Sequence, residues 1–390
     1  MTTLFKHAAV ADVAAGSVLE DGCVLVSDGV IQEVGRAIAA PADCQTVDLT
    51  GKTMLPGLFN CHVHMCSEAG TGVRRERSDA AITIRALQNL KTLLRSGVTY
   101  IRDAGAPRHI DAVIRQAAQA GEILAPQMQT SGRCICMTGG HGWRDGREAD
   151  GPDECRKAAR EQLKTGASWI KVMATGGVMT PGVEPGSPQL TEEELRAAVE
   201  EAHKAGAKAF THAQGMEGIK NALRAGVDSI EHGFFMDDWC FQYMKEHQVY
   251  FVPTLAAPYW IQKNGTAAGI PEYAVRKVEK TIEAHKDTFR RALAAGVPIA
   301  VGTDAGTPFN AYDQTAFEAV LMVENGMTPA QAVRCATLSS AQLLGVSDTH
   351  GTIEPGKTAN FAIFDANPLE DIHALLHCSM TVLRGEILRF

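Results

Sequence analysis

Two histidines separated by one residue are the first candidates for chemistry in this sequence. His62 and His64 follow an apolar run at residues 54–59, and Val63 stands between them. In a β-strand, residues two apart point to the same face, so both imidazoles would enter one pocket while Val63 packs on the opposite side. Two neutral imidazoles at one strand end supply half of a metal site. The pair alone is equally compatible with a structural role.

Four further polar residues are predicted to lie at the ends of other strands: Lys171, His212, His232 and Asp304. Lys171 stands among apolar residues, where an unpaired cation is costly to bury. Taken singly, His212 could be a buried core histidine and Asp304 could cap a turn. Because all of them are expected at strand ends, one shared metal centre explains the set better than separate coincidences.

The elements that would position these residues alternate along the middle of the chain. Helical patterns that each end at or just before a glycine are found at residues 82–95, 153–164, 191–205, 216–225 and 273–295. Apolar strands are predicted at residues 55–64, 98–103, 127–136, 167–174, 207–212, 227–232, 249–255 and 297–304. Eight β/α units predict an α/β protein with a (β/α)8 TIM-type barrel, whose chemistry lies at the carboxyl ends of the strands. A doubly wound open sheet is the alternative.

Both ends of the chain carry short strands joined by turns, for example at residues 23–26 and 380–383. This texture predicts a small β-sandwich domain made of residues 1–54 and 352–390, with a barrel domain of residues 55–351 inserted between them. Within the barrel region, Thr191 followed by Glu194 is the signature of a helix capping box.

Composition and charge limit the class of protein. The 390 residues are 45% hydrophobic and 21% charged, as in ordinary globular proteins, and can bury a large core. A net charge of -8 without a basic stripe argues against a nucleic-acid partner. No apolar stretch could span a membrane and no signal peptide is recognisable, so a cytoplasmic location is expected. The ten cysteines lack the Cys-x-x-Cys spacing of thiolate zinc sites and are expected to be free thiols.

Together, these motifs resemble the amidohydrolase superfamily, in its binuclear-metal subtype. The resemblance covers nearly the whole chain. It rests on Pro56-Gly57-Leu58 with the histidine pair, on Lys171 and His212, and on the segments 229–233, 302–306, 351–357 and 367–372. It implies the barrel and the two-ended β-sandwich described above.

The resemblance further implies two divalent metal ions, for which zinc is the default at an imidazole-rich site. The more buried ion would be held by His62, His64 and Asp304. The more exposed ion would be held by His212 and His232.

Lys171, by the same resemblance, would be carboxylated to N6-carboxylysine and bridge both ions. A desolvated amine has a lowered pKa and offers a neutral nucleophile to carbon dioxide, so the modification is chemically reasonable. The expected reaction is hydrolysis of an amide carbon–nitrogen bond in a small-molecule substrate by a metal-bridging hydroxide, with Asp304 as general acid and base.

The segment 138–143, which contains Gly139-Gly140-His141, indicates a particular branch of the superfamily. It resembles a branch with metallo-dipeptidases (prolidases), carboxypeptidases acting on N-acyl or dipeptidyl substrates, and imidazolonepropionase-like enzymes. We predict that His141 contacts a carboxylate or carbonyl oxygen of the substrate; a merely solvated loop histidine is the alternative. The expected substrate is a dipeptide of the Xaa-Pro or Xaa-Arg/Lys type or an N-acyl amino acid. A cyclic amide, a carbamate or a urea is the alternative.

Several loop features leave more than one interpretation open. The basic segment 74–77 suits a substrate carboxylate, or is a solvated helix start, and the Gly/Pro-rich segment 176–188 is typical of a mobile lid. Asn60 and Asn360 stand where the superfamily usually has Asp. A catalytically silent assembly protein would have lost metal ligands, and this chain keeps all six. A homo-oligomer is compatible with the resemblance.

Overall fold

The computed structural model describes residues 2–39, 41–73 and 77–390. The helices are α1 (Asp79–Arg95), α2 (Ile110–Gln119), α3 (Pro152–Lys164), α4 (Glu192–Lys204), α5 (Met216–Ala225), α6 (Asp238–Glu246), α7 (Ala256–Asn264), α8 (Glu272–Ala295), α9 (Thr315–Glu324), α10 (Pro329–Arg334) and α11 (Ser340–Leu343). Short helical turns are formed by Pro107–His109, Thr266–Ala268, Cys335–Ser339 and Ile372–Leu376.

The strands of the first third of the chain are β1 (Thr2–Asp12), β2 (Ser17–Ser27), β3 (Val30–Gly35), β4 (Gln45–Asp48), β5 (Thr53–Pro56), β6 (Leu58–Val63), β7 (Val98–Asp103) and β8 (Gln127–Gln129). The later strands are β9 (Ile135–Cys136), β10 (Arg147–Glu148), β11 (Trp169–Met173), β12 (Lys208–Ala213), β13 (Ser229–His232), β14 (Tyr250–Val252), β15 (Phe361–Phe364), β16 (Cys378–Leu383) and β17 (Glu386–Ile387).

Two parallel sheets occupy the middle of the chain, so the fold class is α/β. One sheet has the order β6-β7-β8, and the other has the order β10-β9-β11-β12-β13-β14. The helices α3, α4 and α5 connect successive strands of the second sheet, which is the arrangement that parallel pairing requires. Parallel pairing places the carboxyl ends of neighbouring strands side by side.

The eighth strand is expected at residues 297–304. The segment 297–305 lies between the two sheets as extended backbone with isolated bridges rather than as a regular strand. Its Asp304 N–H donates to the His62 carbonyl at 2.8 Å, and its Ala300 N–H donates to the Phe251 carbonyl at 3.0 Å. Asp304, near the end of the segment, has a left-handed backbone with φ of 59°, outside the range of a regular strand. The segment therefore contacts β6 on one side and β14 on the other.

A third sheet combines strands from both ends of the chain. Its order is β17-β16-β15-β5-β1-β2-β3, with β4 paired to β1. β5 and β15 are antiparallel, with Leu55 opposite Ala362. The sheet has its own apolar cluster, in which the rings of Phe5 and Phe361 meet edge-on with centroids 5.6 Å apart.

Gly57 is where the chain passes from this sheet to the first parallel sheet, so the strand predicted at residues 55–64 is divided into β5 and β6. A Cβ at Gly57 would lie 2.1 Å from Thr99 Oγ1 on β7. Only glycine leaves room for the Thr99 side chain this close to the backbone.

The residues predicted to start and end helices do so in the structure. The capping box is confirmed: Thr191 Oγ1 accepts the Glu194 N–H at 3.3 Å, and the Glu194 carboxylate accepts the Thr191 N–H at 2.8 Å. Gly226 and Gly296 end α5 and α8 in the left-handed conformation, with φ of 92° and 76°.

The ten cysteines are thiols outside disulfide bonds, as predicted, and seven of them are buried. Separately, no helix within the described residues combines the length and the apolar character needed to cross a membrane.

Candidate metal and substrate site

The residues predicted as metal ligands lie together in the structure. They come from the carboxyl ends of β6, β12 and β13, from the middle of β11 and from the segment 297–305 beside them; they are His62, His64, Lys171, His212, His232 and Asp304. His64 and Asp304 are partly accessible, whereas the other four are buried. The β6 end, three strands of the second sheet and the extended segment thus bring distant parts of the sequence to one place.

Asp304 contacts both histidines of the first motif. Its Oδ1 lies 3.4 Å from His62 Nε2 and 3.2 Å from His64 Nε2. Burial opposes ionisation of this carboxyl, but the hydrogen bond from His64 and the nearby positive charges outweigh it, and the pKa of Asp304 lies below its ordinary value. Asp304 is therefore a carboxylate at neutral pH.

Among the described residues, His62, His232 and Asp304 each offer one possible ligand atom within 4.8 Å of the others. The His232 ring centroid lies 5.2 Å from that of His62 and 4.5 Å from that of His212. The expected assignment places His62 and Asp304 on one ion and His232 on the other, whereas this set contains residues from both groups. The histidines form one continuous array.

His62 is oriented by a buried carboxylate. Its Nδ1 donates to Glu231 Oε2 at 2.6 Å, which leaves Nε2 to face Asp304. The other oxygen, Glu231 Oε1, accepts from Arg102 at 2.8 Å and from the Ser229 hydroxyl at 2.6 Å. A carboxylate behind a ligating histidine fixes its tautomer and ring orientation.

His232 and His212 are held through opposite ring nitrogens. The Thr254 hydroxyl donates to the Pro253 carbonyl at 2.6 Å, so it accepts from His232 Nδ1 at 2.7 Å. His212 Nε2 donates to the Gly176 carbonyl at 3.1 Å. His232 therefore offers Nε2 to a ligand, and His212 offers Nδ1.

The buried histidines are in the form that binds metals. Burial lowers the pKa of His62, His212 and His232 well below the ordinary value. Neighbouring positive charges, among them Lys171, lower it further. They are neutral imidazoles at pH 7, with a free lone pair on one nitrogen each.

Lys171 has a buried amine whose Nζ has no hydrogen-bond partner among the described residues. The Nζ lies 4.6 Å from the centroid of the Phe210 ring. Burial lowers the pKa of Lys171 to about 8, although Glu231 and Asp304 oppose the shift. An unpartnered amine with a pKa near neutrality fits carboxylation, and the neutral imidazoles and the carboxylate around it are suitable donors for divalent metals.

His141 lies at the edge of the histidine array, with its ring centroid 4.2 Å from that of His212. Its Nδ1 is 2.9 Å from Thr180 Oγ1, and its backbone N–H donates to Gln189 Oε1 at 2.9 Å. Gly177 packs against the ring, where a Cβ would lie 2.4 Å from Cε1. The half-buried His141 is thus fixed beside the candidate ligands.

The basic segment 74–77 is represented by Arg77 alone, because residues 74–76 lie outside the described residues. Arg77 is paired with Glu68, whose other oxygen is 3.7 Å from Arg85. The guanidinium of Arg77 is therefore engaged by a carboxylate of the chain itself.

Asn60, the departure from the superfamily pattern, has a structural explanation. Its side-chain amide donates to Thr303 Oγ1 at 2.8 Å and to Thr315 Oγ1 at 2.9 Å. Its oxygen accepts the backbone N–H groups of His62 at 3.1 Å and Thr303 at 3.2 Å. The amide uses both donors and both acceptor positions, and it ties β6 to the segment that carries Asp304.

Arg102 and Glu231 are the supporting residues that motif reasoning missed. Arg102 is fully buried in β7, and its guanidinium lies 4.0 Å from the Phe210 ring centroid and 4.5 Å from that of Trp169. The available signal was a pair of opposite charges at buried strand positions, since such charges are stable only when paired.

Comparison with known proteins agrees with this geometry. The profile of the amidohydrolase family matches residues 53–388. The ochratoxinase of Aspergillus niger is 30% identical, over 92% of this chain and 80% of its own. The structure of a Xaa-Pro dipeptidase with methionine bound in its active site has a TM-score of 0.93 and 32% identity, over all of both chains. A prolidase complexed with N-methylphosphonate-L-proline has a TM-score of 0.92 and 30% identity, again over all of both chains.

The family profile covers both parallel sheets and the residues gathered at their ends, and relatives match along almost the entire length of the chain. This protein belongs to the amidohydrolase family and is a hydrolase.

Proposed function

We propose that this protein hydrolyses the amide bond of a dipeptide or an N-acyl amino acid and releases the C-terminal amino acid. The observation that carries the proposal is the distance of 4.2 Å between the rings of His141 and His212. A half-buried imidazole at the edge of the ligand array suits a contact with the carboxylate or carbonyl oxygen of such a substrate. The likeness to a Xaa-Pro dipeptidase and a prolidase supports this substrate class. Xaa-Pro and Xaa-Arg/Lys dipeptides are the first candidates.

The parallel sheets are proposed to close into a (β/α)8 barrel, with residues 1–54 and 352–390 forming a β-sandwich domain. Two sets of bonds support closure. The segment 297–305 bonds both β6 and β14, and the Ser168 N–H before β11 donates to the Thr130 carbonyl after β8 at 3.0 Å. A closed barrel would give all the candidate ligands a common mouth.

The array is proposed to hold two divalent ions, with zinc as the first choice. One ion is assigned to His62, His64 and Asp304, the other to His212 and His232, and carboxylated Lys171 is assigned to both. When bound, such ions polarise a substrate carbonyl and lower the pKa of water toward neutrality.

Asp304 is proposed as the general acid and base. Its low pKa means that it is ionised and can accept the proton of the attacking water. The protonated carboxyl then returns this proton to the leaving nitrogen, which would otherwise depart as an unstable amide anion. Glu231 keeps the His62 ring in place during both transfers, and His141 holds the substrate.

The test is amino-acid release by metal-loaded protein from libraries of dipeptides and N-acyl amino acids, with bicarbonate present. We expect release of one class of C-terminal residue and none by the Asp304→Asn variant. Metal content and melting temperature of the variant are measured in parallel, so that loss of metal is separated from loss of the base. No release despite near two metals per chain would move the assignment to cyclic amides, carbamates or ureas. A folded protein that retains no metal would overturn the metal centre.

The His141→Ala variant tests the substrate contact separately. We expect KM to rise about tenfold or more, the effect of losing one hydrogen bond to a charged group, with metal content unchanged. His377→Ala, at an exposed histidine far along the chain, is the control. Unchanged kinetics in His141→Ala would end this role.

A further inference from the structure

Lys277 on α8 is a buried cation surrounded by backbone carbonyl groups. Its side chain is 2% exposed. Its Nζ donates to the carbonyl oxygens of Gly177 at 3.1 Å, Val178 at 3.4 Å and Thr180 at 2.8 Å, and also to that of Val183. The ammonium thus gathers four carbonyl groups of one loop.

An ammonium has three N–H donors and no lone pair, so Nζ serves these four carbonyl groups by sharing one N–H between two of them. Burial lowers the pKa of Lys277, while the Glu184 carboxylate opposes this shift and Arg276 adds to it. The carbonyl dipoles must therefore replace the water that the ammonium has lost. Rings of carbonyl oxygens replace the hydration shell of free monovalent cations in the same way.

The loop that carries these carbonyl groups, residues 176–183, is here named the site loop, and it also bears the partners of two histidines of the site. The Gly176 carbonyl accepts from His212 Nε2 at 3.1 Å. The Thr180 hydroxyl lies 2.9 Å from His141 Nδ1. The same loop that the ammonium gathers therefore orients one candidate metal ligand and the candidate substrate contact.

Helix α8 supports the site loop at a second point, where the Tyr273 hydroxyl donates to the Met179 carbonyl at 3.1 Å. The base of the loop is closed by the Gly176 N–H, which donates to the Ser187 carbonyl at 2.9 Å, and by the Ser187 N–H, which donates to the Glu184 carbonyl at 3.0 Å. These two amides report on the order of the loop, because hydrogen exchange requires their bonds to open.

We propose that Lys277 is a positioning residue, whose ammonium acts as a built-in monovalent cation that orders the site loop and so orients His212 and His141. Removing the side chain would leave a carbonyl-lined site that accepts a free alkylammonium ion. Only the catalytic readout rests on the proposed function; loop order and cation binding can be measured without a substrate.

The test uses the metal-loaded Lys277→Ala variant, which lacks three methylenes and the ammonium, the equivalent of n-propylammonium. We expect the amides of Gly176 and Ser187 to exchange about tenfold faster or more than in the wild type. n-Propylammonium chloride should restore their protection and raise the melting temperature. Tetramethylammonium chloride, whose cation has no N–H group, and sodium chloride at equal ionic strength should do neither.

Two further variants complete the design. Lys277→Met keeps the length of the stem without the charge, so it should loosen the loop and should not respond to n-propylammonium. Lys280→Ala removes an exposed lysine three residues along α8 and should leave exchange unchanged. If the alanine variant does not fold, the test rests on Lys277→Met. Amides of Gly176 and Ser187 that exchange as slowly in this variant as in the wild type would overturn the proposal.

On a dipeptide substrate and with metal in excess, we expect Lys277→Ala to raise KM several-fold, with recovery in n-propylammonium. Unchanged loop exchange in both Lys277 variants would overturn the proposal. A loop that loosens and is restored by the alkylammonium ion, in a protein that cleaves no dipeptide, would support the role of Lys277 and refute the proposed substrate class.

Discussion

The two halves of the candidate site are held in different ways. In the framework half, His62 is fixed by the buried pair of Glu231 and Arg102, so oppositely charged side chains from strands of two different sheets determine its orientation. In the loop half, His212 and His141 are fixed by the site loop, whose carbonyl groups converge on an ammonium. The difference shows that a strand determines where a ligand lies, whereas its ring orientation depends on partners that can come from any part of the chain.

Replacing Glu231 with Gln should have the largest effect, because it breaks the framework half. The amide keeps the size of the side chain but leaves the buried charge of Arg102 uncompensated. We expect the free energy of unfolding to fall by about 3–5 kcal/mol. Metal affinity should fall about 10–100-fold, because the orientation of His62 is lost. Denaturant titration and metal competition measure the two quantities.

Ser229→Ala is the matched control for this substitution. It removes a hydroxyl that donates to the same carboxylate at 2.6 Å but keeps the ion pair. The expected loss is about 1 kcal/mol. Wild-type stability and metal affinity in Glu231→Gln would show that the ion pair does not hold His62.

Glu318→Gln should have an intermediate effect that depends on pH. Glu318 accepts the N–H groups of Leu255 and Ala256, both at 2.7 Å, at the start of α7 and directly after Thr254, the partner of His232. Burial raises the pKa of Glu318 to about 8, although these bonds oppose the shift. Because the unfolded pKa is about 4.3, the folded protein holds an extra proton between these values, and this contribution to stability is lost as pH rises from about 4 to 8.

The glutamine side chain does not ionise, so the stability of Glu318→Gln should depend less on pH over the same range. The stability advantage of the wild type, about 1–3 kcal/mol in acid, should therefore shrink as the pH rises toward about 8. Denaturant midpoints across this range measure the difference. Parallel pH profiles for the two proteins would show that Glu318 does not titrate there.

Thr180→Val should have the smallest effect and concerns the loop half. It removes the hydroxyl beside His141 and leaves the backbone carbonyl that binds Lys277. We expect KM to rise about 2–10-fold through the loss of one neutral hydrogen bond, with loop exchange unchanged. Thr266→Val, at an exposed position, is the control. An effect as large as that of Lys277→Ala would mean that the hydroxyl, and not the ammonium, orders the loop.

The parts of the fold that depend on local sequence were predictable. α5 has the predicted bounds, Met216–Ala225, and β7 has the predicted bounds, Val98–Asp103, because periodicity and terminal glycines act within a few residues. The histidines and Asp304 could be found because strand ends and two-residue spacing are local signals. The segment 297–305 has the apolar pattern of a strand, but in the structure it pairs through isolated bridges at Ile299 and Ala305, and Asp304 is left-handed.

The supports of the site could not be read from the sequence. Arg102 and Glu231 are 129 residues apart, and Lys277 is 100 residues from Gly177. No local pattern encodes such pairings, because they exist only after the chain has folded. Backbone carbonyl groups, moreover, are the same at every position, so their use as partners for Lys277 has no signature in residue type.

The sheet that combines strands from both ends of the chain cannot be completed until synthesis of the chain is almost finished. β5 is complete at Pro56, but its partner β15 begins only at Phe361. At about 5–20 residues per second, the intervening part takes roughly 15–60 s to synthesise. During that time β5 lacks its partner strand on one edge, and an unpaired edge is a template for aggregation. Chains that stop before Phe361 keep this edge open, which marks them for chaperones and proteases.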